Sequence, residues 1–137
     1  MTVAVRTFPA ERAVLRRIRE FIHQLAREHA FAEEADSLVL AVTEACSNAI
    51  VHTSCTRIGV TWRSTPDRVE IEVEDDGVFR RQIPVPEVDG GGGHRGIPLM
   101  MALLDQVSIS GGTESKPGTR VRLVKLREAG SGAPRLL

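Results

Sequence analysis

Three polar side chains stand four residues apart on one segment of the chain: Glu44, Asn48 and His52. Four residues advance a helix by about 400° and about 6 Å, so on a helix the three form one stripe. The segment that carries them, Ala32 to Thr53, is otherwise apolar, with Leu38, Val42, Ala45 and Ala49 at helical spacing. Such a stripe either faces solvent or lines a site, and the spacing alone leaves both open. The chemistry it could support is definite. A carboxylate at Glu44 can polarise a hydroxyl, and an amide oxygen at Asn48 suits a hard cation such as Mg²⁺ that keeps its waters and phosphate oxygens.

Other residues can meet that stripe. Val69, Ile71 and Val73 alternate along a strand from Arg68 to Asp75, and continuing the parity turns Asp75 toward the covered face. An inward carboxylate needs partners or a ligand. It is an acceptor for an exocyclic amine, as on adenine, and Gly77 behind it leaves room for a base. The stretch from Val78 to Arg95 has no period, carries Pro84 and Pro86 and runs through Asp89-Gly90-Gly91-Gly92-Gly93, so it is expected to be a lid-like loop. Gly96 then opens a helix from Ile97 to Gln106, whose free N–H groups favour an anion. Thr119, after Gly118, shares the inward face with Val121 and Leu123.

Further elements must position these groups. Thr2 to Phe8 alternates around Val3 and Val5 as a short strand, and Pro9 stops it. Ala10 to His29 is an amphipathic helix through Val14, Ile18, Phe21, Ile22 and Leu25. Arg57 to Arg63 and Arg68 to Asp75 flank the turn residues Ser64-Thr65-Pro66-Asp67, giving a hairpin whose outer face sets Arg57 and Arg63 against Glu70, Glu72 and Glu74. Val107 to Ser110 and Thr119 to Leu126 form a second hairpin. The fold class expected is a two-layer α/β (α+β) sandwich, a mostly antiparallel sheet with helices on one face.

Composition bounds the rest. The chain has 137 residues, 18 basic and 18 acidic side chains, 42% hydrophobic and 4% aromatic residues. That suits one domain over residues 1–127, with 128–137 as a flexible tail. A neutral chain with few aromatics is not built to coat nucleic acid or a membrane. No membrane span and no signal-peptide h-region is evident, so a cytoplasmic location is expected. Cys46 and Cys55 are too few for a disulfide scaffold and read as a buried thiol and a loop thiol. No P-loop motif occurs.

Four motifs together resemble one known family. Glu44-Ala-Cys-Ser-Asn48-Ala-Ile-Val-His52 resembles the N box of the GHKL ATPase/kinase superfamily, and Val73-Glu-Asp75-Asp-Gly77 its first glycine box. Gly92-Gly93-His94-Arg95-Gly96-Ile97 resembles the second box, and Gly118-Thr119 the last. The subfamily most similar is that of the anti-sigma factor serine kinases of RsbW type, over roughly residues 2–127. The resemblance implies a Bergerat-type sheet, ATP and Mg²⁺ as cofactors, and Asn48 as the metal ligand. It makes Glu44 the catalytic, base-like residue and Asp75 the adenine contact. His52, Gly77, Gly93, His94, Arg95, Gly96, Ile97 and Thr119 complete the nucleotide pocket. It implies a serine on a STAS-type anti-anti-sigma protein as substrate, a sigma factor as second partner, and a homodimer. The chain departs from the pattern where Val78-Phe79 follows Gly77 and where His94-Arg95 separates Gly93 from Gly96. Those departures leave a rival reading, a non-catalytic partner-switching module with a degenerate nucleotide site.

Overall fold

The computed structural model describes residues 1–78, 96–111, 115 and 117–127. The side chains at positions 96, 97 and 99 are not described. Five strands form one sheet: β1 (Thr2–Pro9), β2 (Arg57–Ser64), β3 (Arg68–Asp75), β4 (Gln106–Gly111) and β5 (Thr119–Leu126). Their order is β1-β2-β3-β5-β4, and every neighbouring pair is antiparallel. Three helices, α1 (Leu15–Glu28), α2 (Ala35–His52) and α3 (Gly96–Leu103), complete the fold, with short 3₁₀ turns at Arg12–Val14 and Ala32–Glu34 leading into α1 and α2. The expected sandwich is therefore present. The two expected helices begin later because each opens with a tighter turn, and the third is shorter than 97–106 because Gln106 already pairs with Val124 in the sheet.

Alternation decides which face is covered. Ile58, Val60 and Trp62 of β2, Val69, Ile71 and Val73 of β3, and Val121 and Leu123 of β5 are buried against the helices. On α1 the buried stripe is Ile18, Ile22, Leu25 and Ala26, and on α2 Leu38, Val42, Ala45 and Ala49 lie in the same core. Side-chain area of this kind contributes about 25 cal/mol per Å² of apolar surface removed from water.

The turn between α1 and α2 is tight. Ala30 adopts φ +66°, and the Phe31 N–H bonds to the Ala26 carbonyl at 2.7 Å. That is a Schellman-type stop with an alanine where glycine is usual, at a steric cost of about 1 kcal/mol. Two contacts offset it. Phe31 is fully buried edge-on to Trp62, and the Arg127 guanidinium, which donates to the Ala30 carbonyl, lies 4.3 Å over the Phe31 ring.

The outer sheet face carries two features that the sequence left open or placed differently. Val3 and Val5, the residues that mark β1 as a strand, point outward and are 54% and 65% exposed. The carboxylates of β3 meet arginines mostly from β5. Arg122 grips Glu70 through two bonds of 2.9 and 3.1 Å, Arg120 grips Glu74 at 2.9 and 2.6 Å, and Arg63 reaches Glu72 at 3.6 Å. The strand order seats β5 beside β3, and Arg57 enters no ion pair among the described residues.

Candidate functional site

Asp75 is the last residue of β3 and lies opposite Ile58 on one side and Thr119 on the other. Parity turns it to the helix face, as the sequence implied, and there its carboxylate is half-buried. It accepts the Gly77 N–H at 2.9 Å and a second backbone N–H from Thr119. Burial pushes its pKa above the ordinary carboxylate value, and the neighbouring Asp76 charge adds to that. The two N–H groups pull the other way. A partly desolvated acceptor held from one side by backbone donors is poised for a further donor from a ligand.

Three glycines make the close approach around Asp75 possible. A Cβ on Gly77 would lie 2.5 Å from the Cys55 nitrogen and 2.7 Å from the Thr53 hydroxyl. The Gly118 N–H donates to the Gly77 carbonyl at 2.7 Å, and at φ +89° Gly118 passes the Asp75 carbonyl where a Cβ would come within 2.9 Å. Gly111 closes the same crossing from β4. Beside them Thr119 is only 5% exposed, and its hydroxyl has no hydrogen-bond partner among the described residues. A buried hydroxyl without a partner is costly, so it marks a place where a ligand or a water supplies the missing bond.

The stripe on α2 is neither solvent-facing nor core. Glu44, Asn48 and His52 are all half-buried. Each four-residue step turns the helix about 40° past a full revolution, so the stripe winds across the surface of α2 rather than running parallel to its axis. It starts at Glu44, one turn after exposed Leu40, and ends at His52, one turn after buried Ala49. None of the three side chains has a hydrogen bond or ion pair among the described residues. Among the described residues no group of three His, Cys, Asp or Glu side chains could hold a metal. A lone amide oxygen at Asn48 suits a cation whose other ligands are phosphate and water.

Cys46 on α2 lies within electrostatic reach of Asp75 at the end of β3. This thiol is fully buried on the sheet side of α2. Burial, then the Asp75 charge, push its pKa up, so it stays a neutral space-filling thiol. Cys55, as expected, is a free thiol in the turn after α2, its Sγ 3.4 Å from the Ala49 carbonyl. Gly96 opens α3, which packs against α2. The positions Gly93, His94 and Arg95, with the rest of the lid expected over Val78 to Arg95 except Val78 itself, lie outside the described residues, as does the side chain of Ile97 and the tail 128–137.

Two residues at this end carry weight the sequence did not signal. Asp76 looks like the second of a carboxylate pair, yet its oxygens accept the Thr56 N–H at 2.7 Å, the Thr56 hydroxyl at 2.6 Å and the Arg57 N–H at 3.2 Å. Those bonds hold its pKa down at about 2 and tie the turn after α2 to the end of β3. The Ser54 N–H to Val78 carbonyl bond at 3.1 Å and the Val78 N–H to Ser54 hydroxyl bond at 3.2 Å extend that seam. Gly111 follows the expected strand Val107 to Ser110 in sequence, and the only local clue to its role is the Gly111-Gly112 doublet beside the strand end.

A concavity of about 600 Å³ opens on the outer face, away from α2. Its floor is one transverse row, Thr7, Gly59, Glu74, Arg120 and Ser110, one residue from each strand. It exists because Gly59 leaves a gap in that row, and it adjoins Asp75 and Thr119 only at the sheet end.

A five-stranded antiparallel sheet with three helices on one face, carrying an inward carboxylate and a glycine crossing at one end, defines a class of ATPase-type α/β domain. The chain belongs to the family of histidine kinase-like ATPase domains, whose family model matches residues 8–125. Among solved structures it is similar to the RsbU and RsbW domains of Rv1364c from Mycobacterium tuberculosis, with a TM-score of 0.66 and 20% identity over 92% of this chain and 32% of that one. It is also similar to the histidine kinase domain of the blue-light activated histidine kinase EL346 from Erythrobacter litoralis, with a TM-score of 0.53 and 24% identity over 88% of this chain and 62% of that one. The chain thus spans about a third of the first structure's length and under two thirds of the second's. No curated protein matches it in sequence. At such identities the two structures share its fold. Among the described residues no helix is long and apolar enough to cross a membrane.

Proposed function

We propose that this chain is an ATP-dependent protein-serine kinase that phosphorylates a STAS-type anti-anti-sigma protein and otherwise holds a sigma factor. Residues 1–127 would act as one nucleotide-binding unit, paired as a homodimer, with 128–137 as a tail. The observation that carries the nucleotide half is the end of β3. A half-buried Asp75 carboxylate is held on one side by two backbone N–H groups, beside a glycine cradle and the unpartnered Thr119 hydroxyl. A purine amine and its bound water would complete those bonds. The partner half is supported by the RsbW domain within the similar structure from Mycobacterium tuberculosis and by the anti-sigma kinase motifs of the chain.

Within this reading each residue has a task. Asp75 accepts the adenine amine and Gly77 leaves the base its space. Gly93, His94, Arg95, Gly96 and Ile97 would bind the phosphates, and His52 would belong to the pocket wall. Asn48 holds Mg²⁺, which when bound neutralises phosphate charge. Glu44, one helical turn before Asn48, orients the attacking serine hydroxyl and takes its proton. Phosphoryl transfer depends mostly on such positioning and charge stabilisation.

The test is to incubate the protein with Mg-ATP and candidate STAS proteins and to look for phosphoserine by mass spectrometry. Glu44→Ala should lose on the order of 10²-fold in phosphorylation rate, the scale of a positioned base. Its Mg-ATP affinity should stay within a few-fold, because a carboxylate near phosphate does not favour binding. Near wild-type phosphorylation by that variant would remove Glu44 from the chemistry. Failure of the wild-type protein to bind millimolar ATP would leave a non-catalytic partner-switching module.

A further inference from the structure

Gly111 lies outside every motif that marks the nucleotide site, yet its backbone is pinned against it. It ends β4, opposite Thr119, with φ +85°. A Cβ built on it would fall 2.1 Å from the Gly118 carbonyl oxygen and 3.2 Å from the carbonyl carbon. Both are backbone atoms, so no flexible side chain can move aside to relieve the overlap. The carbonyl it would strike belongs to the Gly118–Thr119 peptide, whose own N–H reaches the Asp75 carboxylate. On the other side of Gly118, its N–H is bonded to the Gly77 carbonyl at 2.7 Å. The Thr119 hydroxyl, buried and unpartnered, hangs from the same peptide. One backbone crossing therefore joins β4, β5 and the end of β3, and nothing larger than hydrogen fits at its outer edge.

We infer that Gly111 is a positioning residue for base recognition: its missing side chain fixes the Gly118–Thr119 peptide where it orients the Asp75 carboxylate and the Thr119 hydroxyl toward the bound base. The inference rests on the reading of Asp75 as the adenine acceptor. It makes the β4–β5 hairpin a determinant of which nucleotide binds, through a residue that touches none. A carboxylate favours the adenine amine and repels the oxygen that guanine carries at the same position. Displacing Asp75 and Thr119 therefore costs adenine more than it costs guanine. A simple loss of stability would lower binding of both equally.

The experiment compares wild type, Gly111→Ala and Gly59→Ala by calorimetry with ATP and GTP, alongside thermal unfolding. Gly59 is a matched control, since a Cβ there meets only the Glu74 carbonyl, at 4.0 Å. Gly111→Ala should weaken ATP on the order of tenfold, the scale of one lost bond to a charged group, and narrow the ATP-to-GTP preference by a similar factor. Gly59→Ala should leave both unchanged. An unchanged preference in Gly111→Ala, with or without a lower Tm, overturns the inference and leaves Gly111 a purely structural glycine. Absence of ATP binding in the wild type instead overturns the adenine reading of Asp75, and the inference falls with it. If Gly111→Ala does not fold, amide exchange in the wild type decides. The Gly118 and Thr119 N–H groups should slow at least several-fold with ADP and not with GDP, and equal rates with both nucleotides would refute the inference.

Discussion

The two ends of β3 are built on opposite principles. At the Arg68 end, polar groups are partnered and the space is filled. Trp62 is fully buried with its indole N–H on the Ser64 hydroxyl at 2.9 Å, Phe31 packs edge-on to it, and Arg127 bonds the Pro66 carbonyl at 2.5 Å while covering the Phe31 ring. At the Asp75 end the backbone is crowded by glycines, a carboxylate is half desolvated, and a threonine hydroxyl lacks a partner. The first end departs from local rules only at Ala30, whose positive φ the Phe31 and Arg127 contacts offset, and it supplies stability. The second breaks several at once, and such local conflicts concentrate where a ligand completes the structure.

Mutations sort the two ends. The largest effect on stability belongs to the filled end. Trp62→Ala removes the largest buried side chain and should cost about 3–5 kcal/mol in denaturant unfolding, with nucleotide affinity of the remaining folded protein unchanged. A loss below about 1 kcal/mol would show that the Trp62 cluster is not the anchor described.

A smaller effect separates two adjacent carboxylates that titrate in opposite senses. Asp76 is held at about 2, below its ordinary value, so it contributes stability that is present above pH 4 or so and lost as pH falls toward about 2. Asp75 is raised by burial, so its ionised form costs stability at neutral pH, and that cost is relieved as pH falls through its raised pKa. Asp76→Asn should therefore lower Tm at pH 7 and flatten the acid limb of the stability curve. Asp75→Asn should leave Tm at pH 7 unchanged or raised. Because Asp76 is almost fully solvated, its loss should stay well below that of Trp62→Ala. A larger loss of Tm in Asp75→Asn than in Asp76→Asn would reverse the assignment.

The sequence exposed what has a period and hid what is joined across long separations. Leu38, Val42, Ala45 and Ala49 foretold the buried face of α2, and alternation from Val69 to Val73 foretold that Asp75 points inward, because each pattern is local. Val3 and Val5 marked a strand correctly, but a period of two carries no sign for which face is covered. The partners of Glu70 and Glu74 were sought on β2 and found on β5, since strand order is set by topology rather than by neighbouring residues. Asp76 and Thr56 lie 20 residues apart, and Gly111 meets Gly118 only when the second hairpin closes. The first contact has no local signature, and the Gly111-Gly112 doublet hints at a special glycine without naming its partner. In the candidate site, the inward turn of Asp75 was legible, while the supports that orient it were not.

The central claim, that the strained end of β3 receives an adenine nucleotide through Asp75, is tested most directly by titrating ATP and GTP into wild type and Asp75→Asn by calorimetry. The expected result is ATP binding by the wild type with a clear preference over GTP. In Asp75→Asn ATP should weaken by on the order of tenfold or more, the preference should be largely gone, and Tm should hold. Equal ATP affinity in the two proteins, or no preference for ATP in the wild type, would contradict it.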